Sequence, residues 1–439
     1  MSDGVERQAE VYLGGARGRK PAVPADLTRL EAKARKAMSA AGFAYIAGGA
    51  GSESTMEANR AAFERWRIVP RLLRDVSIRD TSVELFGKRL PGPFLLAPIG
   101  VLGLAHRQAD LAAARAAAGE GIPMIFSSQA SVAMETCAAA MGDSPRWFQL
   151  YWSTSNELVA SFVQRAEACG CSAIVVTLDT TMLGWRPRDL DRAHLPFLLG
   201  RGFAQYTSDS VFNSLLARMG ADERESSGQV TPAAAWALVQ LARAYPGSFW
   251  SNLRSGRPRR AVRLFLSVYS RPSLTWNDLS FLRGLTSLPI VLKGILHPAD
   301  AEAAVEHGAD AIVVSNHGGR QVDGAIAALD ALPGIVEASG GRLQVLFDSG
   351  IRGGADTFKA LALGARAVLI GRPYVYGLAI AGEVGVREVI RNFMADFDLT
   401  MGLAGCASVG EINTEMLTIG SAPHSQSDLS CEREHPTRL

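Results

Sequence analysis

A closed (β/α)8 barrel of the TIM type, in the α/β class, with an N-terminal helical extension and a long insertion after its fourth strand, is the fold this sequence predicts. Three observations predict it. From Pro93 onward eight short apolar runs recur, several bounded by Gly or Pro, with helical patterns between them. Every run ends in polar or glycine-rich residues, as strands do where a barrel carries its chemistry. The 439 residues, 48% hydrophobic and 20% charged, leave room for a folded barrel of about 250 residues plus insertions.

The same composition excludes other classes. A net charge of +2 argues against a general nucleic-acid binder. No apolar run reaches the length of a membrane span, and the polar start, Met1 to Glu10, lacks the apolar core of a signal peptide, so a cytoplasmic location is expected. The five cysteines (Cys137, Cys169, Cys171, Cys406, Cys431) are scattered without metal spacing, which predicts reduced thiols and no metal site.

Taken in order, residues 1–25 are rich in Gly, Arg and Pro and are expected to form a flexible arm. A barrel domain is expected over 26–415. It opens with a helix N-capped by Asp26, with Leu27, Leu30, Ala34 and Ala37 on one face, ending near Gly42. An aromatic patch containing Tyr45 follows. The eight predicted strands are Phe94 to Pro98, Met124 to Ser127, Trp147 to Tyr151, Ala173 to Leu178, Ile290 to Lys293, Ala311 to Ser315, Val345 to Asp348 and Ala367 to Gly371. Helical faces lie between them, as in Leu158, Phe162, Val163 and Ala166 after Ser155. The spacing breaks once, with roughly 110 residues between the fourth and fifth runs, and residues 187–275 are therefore expected to form a lid over the mouth. Within it an apolar stretch, Ala233 to Ala244, precedes a basic one with Arg254, Arg257, Arg259, Arg260 and Arg263. That pattern fits a solvated basic rim, with a membrane-surface patch as the alternative. Residues 416–439 read as a polar tail, disordered after Ile419.

The strand ends carry the chemistry. Gly350, Gly353, Gly354 and Gly371 offer backbone N–H groups, and Arg352 and Arg372 add charge, at the two loops where this fold holds phosphate. Lys293, embedded in an apolar run, requires an anion or an electron-rich group opposite it, and a reduced flavin is one. With Ser127, Gln149 and Thr177 as further polar groups at the mouth, the implied cofactor is flavin mononucleotide, and no G-x-G-x-x-G turn suggests NAD. Arg186 and Arg320 would repel each other unless an anion lay between them, which predicts a small carboxylic acid as substrate. Arg188 is expected to pair with Asp189 or Asp191. His317 titrates near neutrality and is the candidate base. Asp179 is expected to accept from its ring, fix the tautomer and raise its pKa. Pro98, Ile99, Gly100, Ser315 and Asp348 complete the expected cofactor contacts.

The motifs S-N-H-G-G-R-Q (Ser315–Gln321), D-S-G-I-R (Asp348–Arg352), I-G-R-P (Ile370–Pro373) and F-Q-L-Y (Phe148–Tyr151) together resemble the FMN-dependent 2-hydroxy acid oxidases and dehydrogenases, over about residues 26 to 415. Within that family, A-P-I-G-V at Ala97–Val101 and the stretch Leu178–Leu190 look most like the lactate 2-monooxygenase branch, Gly100 standing where most relatives place alanine. By this resemblance Tyr45, Tyr151, Arg186 and Arg320 would bind substrate, His317 would be the base and Lys293 would stabilise the reduced flavin. The activity implied is oxidation of a 2-hydroxy acid with oxygen as acceptor, with oxidative decarboxylation in the monooxygenase manner, by a homotetramer. The longer insertion favours an acid bulkier than lactate. Two other functions are weighed: a membrane-associated dehydrogenase passing electrons to a quinone, and a flavin-binding module without redox activity.

Overall fold

The computed structural model describes residues 3–219 and 231–420. Its centre is a closed barrel of eight parallel strands: Phe94–Leu96, Met124–Ser127, Arg146–Leu150, Ile174–Thr177, Ile290–Ile295, Ala311–Val314, Gln344–Phe347 and Ala367–Ile370. Each pairs with the next in sequence, and the eighth closes on the first through Val368 opposite Phe94. The order follows from right-handed crossovers, which return each strand beside its predecessor.

These strands are apolar on both faces because alternate side chains enter two separate cores. Leu95, Ile125, Trp147, Val175, Val291, Val313, Leu346 and Leu369 fill the barrel interior. Their neighbours, such as Phe148, Ile174 and Val314, pack against the outer helices. A short hairpin, Val83–Leu85 with Lys88–Leu90, contributes Val83, Leu85 and Leu90 to the interior core. Phe86 meets Trp147, at the start of the third strand, with centroids 5.5 Å apart. The hairpin thus plugs the N-terminal end, and the opposite end is left for a cleft. In the helix Asn156–Ala168 the Ser155 side chain accepts from Leu158 N–H, and Leu158, Phe162, Val163 and Ala166 are all buried.

The structure corrects three expectations. Residues 3–16 form a helix, where a flexible arm was expected. Gly4 N–H donates to Asp398 Oδ2 (3.1 Å) and the buried Arg7 Nε to Asn392 Oδ1 (3.0 Å), fixing it to the last helix. The helix expected from Asp26 to Gly42 is in fact a 3-10 turn capped by Asp26 and two helices, Leu30–Ala37 and Ala40–Ala47, the second capped by Ser39. Leu417–Ile419, expected to open the tail, pairs antiparallel with Trp66–Ile68; the rest of that tail lies outside the described residues.

The insertion is mainly helical, with its described helices running from Pro187–Leu190 to Arg257–Val268. Phe265, fully buried, holds it together, lying 5.0 Å from Phe197, 5.3 Å from Phe203, 4.9 Å from Tyr206 and 5.2 Å from Tyr269, centroid to centroid. Trp236 and Trp250 are exposed on it. Among the described residues no helix is long and apolar enough to cross a membrane. Cys137, Cys169, Cys171 and Cys406 are free thiols.

Candidate active site

At the C-terminal strand ends a cleft encloses about 1070 Å³ up to its open mouth. Fourteen predicted site residues line it. Pro98, Ile99 and Gly100 come from the first strand end, Tyr151 from the third, and Lys293 from the fifth. His317 and Arg320 follow the sixth, Asp348, Gly350 and Arg352 the seventh, and Gly371 and Arg372 the eighth. Tyr45 and Arg186 enter from the helix Ala40–Ala47 and the start of the insertion. Ser127, Gln149, Thr177, Asp179 and Ser315 are at the strand ends but do not line the cleft.

His317 stands at φ +57°, a left-handed conformation unusual for a non-glycine residue and found where a loop is held for function. Its N–H donates to Ser315 Oγ (3.1 Å). Nδ1 lies 2.7 Å from Asp179 Oδ1, which leaves Nε2 without a hydrogen-bond partner among the described residues. An ionised Asp179 fixes the proton on Nδ1 and makes Nε2 the acceptor. Contrary to expectation, the His317 pKa is lowered below 6.5. Burial is the largest cause, and Lys293 and Arg186 add to it, together outweighing the attraction of Asp179. Asp179 itself is held below the usual carboxylate range: burial would raise it, but His317 and Lys293 prevail. The pair is therefore a neutral imidazole beside an ionised carboxylate.

Lys293 has an anion of its own. Nζ is 2.9 Å from Asp348 Oδ2 and donates to Ser315 Oγ at 2.7 Å. Burial would lower its pKa, yet Asp348 and Asp179 carry it above the ordinary value. Asp348, expected as a cofactor contact, thus serves first as this counter-ion.

Arg186 Nε donates to Arg320 O (3.1 Å) and its Nη2 to Gln321 Oε1 (2.8 Å). Arg320 Nη1 donates to the carbonyls of Tyr45 (2.6 Å) and Gly48 (2.7 Å), and its guanidinium sits 5.2 Å from the Tyr45 ring centre. Among the described residues neither guanidinium meets a carboxylate. Burial, with Arg186 and Arg372 nearby, pushes the Arg320 pKa down to about 9. Arg188 pairs with Glu53 rather than with Asp189 or Asp191, because the helix Pro187–Leu190 packs against Ala40–Ala47. Tyr151 is raised by burial, then by Asp179 and Tyr45, so its phenol stays a donor.

The fit of a flavin nucleotide rests on groups left without partners. Gln149 Nε2 and Thr177 Oγ1 are buried and unbonded among the described residues, as suits the polar edge of a ring. Arg372 is held by the carbonyls of Ile46, Gly318 and Gly48 and Arg352 by that of Ile351, with no side-chain carboxylate on either guanidinium among the described residues. Burial and the neighbouring Arg372 push the Arg352 pKa down to about 10. Two unneutralised cations at these loops suit a phosphate. A Cβ added at Gly371 would meet nothing within 4 Å, so backbone there is open to a ligand.

Four contributors escaped the sequence reading. Asn59 exchanges amide hydrogen bonds with Asn316 (2.9 and 2.7 Å), anchoring the His317 loop to the helix Ser54–Arg65. Phe197 and Tyr269 of the insertion wall the cleft, and no local pattern marks either. Gln129 lines it as well, one residue beyond Ser127-Ser128, where the strand-end rule would have found it.

A barrel face with these cations and this imidazole belongs to a cofactor-dependent oxidoreductase. Residues 34–419 match the family model described as FMN-dependent dehydrogenase. The chain is 42% identical over 417 residues to an FMN-dependent alpha-hydroxy acid dehydrogenase of Penicillium citrinum, covering 95% of this chain and 96% of that one. It is 42% identical to an L-lactate oxidase of Lysinibacillus sphaericus, covering 88% and 90%. The crystal structure of mandelate oxidase superposes with a TM-score of 0.72 at 35% identity, covering 91% of this chain and all of that one. The chain belongs to the FMN-dependent 2-hydroxy acid oxidase and dehydrogenase family, and its reaction is FMN-dependent oxidation of a 2-hydroxy acid.

Proposed function

We propose that this chain is an oxidase, with dioxygen as acceptor, and that its own residues divide the work as follows. Arg186 and Arg320 bind the substrate carboxylate, since they stand with His317 in the cleft and, among the described residues, neither fork meets an acidic side chain. The phenols of Tyr45 and Tyr151 orient the hydroxyl end. Nε2 of His317 takes one proton, and Asp179 steadies the imidazolium that results. Gln149, Thr177, Arg352 and Arg372 would hold FMN, with the Arg pair on its phosphate and Lys293 at the polar edge of its ring. When bound, FMN takes up two electrons from the substrate and gives them to the acceptor. The substrate loses its α-hydrogen and its hydroxyl proton and leaves as the 2-keto acid, while oxygen becomes hydrogen peroxide.

The observation that carries this is the free Nε2 of a neutral His317 facing the same cleft as two guanidiniums lacking a carboxylate. Decarboxylation is part of the proposal: peroxide attacking a retained keto acid gives the shorter acid, carbon dioxide and water. The wall of Phe197 and Tyr269 supports retention. Mixing the protein with 2-hydroxy acids without oxygen should bleach the flavin, and no bleaching across a broad panel would sink the assignment. On readmitting air, the ratio of peroxide to carbon dioxide separates simple oxidation from decarboxylation. A flavin that stays reduced in air but is oxidised by a quinone would overturn the choice of acceptor.

A further inference from the structure

Gln129 has a buried side chain with nothing to do. It follows the second barrel strand, is 8% exposed, and lines the cleft. Its backbone is committed: the N–H donates to Ser127 Oγ (3.1 Å), and the carbonyl accepts from Val101 N–H (2.9 Å). Its carboxamide has no hydrogen-bond partner among the described residues. Buried amides are normally paired, and those that are not often await a ligand.

The surroundings fix where that amide sits. A Cβ on Gly100 would lie 3.0 Å from Gln129 Cβ and 3.4 Å from its Oε1. A Cβ on Gly202 would lie 3.2 Å from the Gln129 carbonyl and 3.1 Å from Phe197 Cε1. The carboxamide is therefore seated over Gly100, in the space an alanine there would crowd, with the insertion's Phe197 close by. Apart from the Tyr269 hydroxyl, the wall here (Leu183 and, from the insertion, Phe197 and Tyr269) is hydrocarbon and aromatic, so the amide is the conspicuous polar group on the cleft wall away from the carboxylate-binding arginines.

We propose that Gln129 determines specificity by hydrogen bonding to the side chain of the 2-hydroxy acid. Acids whose side chain ends in a hydroxyl, carbonyl or carboxamide are preferred over hydrocarbon ones of equal size. The proposal rests on the assignment of this cleft to 2-hydroxy acid oxidation. Its physical basis is asymmetric: a hydrocarbon group leaves the amide unpaired, whereas a polar one satisfies it.

Two near-isosteric pairs test it: 2-hydroxyglutaramate against 2-hydroxy-5-methylhexanoate, and 4-hydroxymandelate against 4-methylmandelate. Anaerobic flavin reduction should favour the polar member of at least one pair by about tenfold or more in the second-order rate constant. Gln129→Leu and Gln129→Met should each bring that ratio close to one. Non-reducing analogues lacking the 2-hydroxyl, glutaramate and 5-methylhexanoate, supply an equilibrium readout: the difference between their shifts of the thermal midpoint should vanish in both variants. Ratios near one in the parent for both pairs, or a preference that survives in both variants, would overturn the proposal and leave the oxidation assignment standing. No bleaching by any of the four acids, nor by lactate or mandelate, would overturn both together.

Discussion

Lys293 shows what a single residue discloses and what it conceals. Its apolar neighbours made plain that a buried cation needs an anion, but Asp348, which supplies it, stands 55 positions away on another strand end. Lys293→Met should therefore cost about 3–5 kcal/mol in urea unfolding, since it leaves Asp348 buried and unpaired. Adding Asp348→Asn should recover most of that loss; no recovery would mean the pair is not coupled. The Asp179–His317 contact was legible because the fourth and sixth strand ends, one strand apart, open on the same mouth, whereas the net sign of the pKa shift depends on burial that no local pattern shows. Because the folded-state pKa of His317 lies below 6.5, the unfolded chain binds the extra proton between the two values, and stability rises with pH across that window. In the same way the acid limb of kcat/KM should fall below pH 6.5. Asp179→Asn removes the main attraction opposing burial, so the limb should move to still lower pH while the rate falls about 10²- to 10⁴-fold. A pH profile of flavin reduction checks both, and a limb that moved upward would contradict this account.

Among the elements, the last helix is the one whose form the sequence hid most. Arg372–Leu403 is two helices joined at Ala381 and at Gly382 (φ +61°), and the halves touch through Gly377 and Gly385. A Cβ on Gly385 would fall 2.0 Å from the Gly377 carbonyl oxygen, a backbone clash with no flexible side chain to yield. Gly385→Ala should thus destabilise the fold by about 3 kcal/mol and weaken FMN binding, because the first half begins at Arg372. Unaltered urea midpoint and flavin affinity would show that the halves can separate without cost. The N-terminal helix escaped notice for a related reason. Gly and Arg near its start argue for a loose chain, and what orders it is Arg7 bonding to Asn392, a partner 385 residues away. In the insertion the hub is Phe265. Phe265→Ala should cost about 3–5 kcal/mol of local packing and raise KM more than it lowers kcat, since the wall rather than the base is disturbed.

For the molecule as a whole, the barrel was legible because strands buried on both faces read as bare apolar runs, and eight of them, at helix-length intervals save for the one insertion, admit few other folds. The same closure forces cations from distant segments onto one face. Arg186, Arg320, Arg352 and Arg372 converge there, and burial with mutual repulsion drives the pKa of Arg320 to about 9 and that of Arg352 to about 10. Only the folded chain assembles this crowd, so an anion that relieves it binds the native state alone and must raise its stability by mass action. FMN at a hundredfold its Kd should add about 2.7 kcal/mol, or about 3 °C in the thermal midpoint of a chain this long. Riboflavin, which shares the ring but lacks the phosphate, should stabilise markedly less at the same concentration. Arg352→Gln should shrink the difference between the two ligands while raising the midpoint of the flavin-free protein, since it deletes a buried charge that nothing compensates. Equal stabilisation by riboflavin and FMN in the parent would mean that the last two strand ends hold no phosphate.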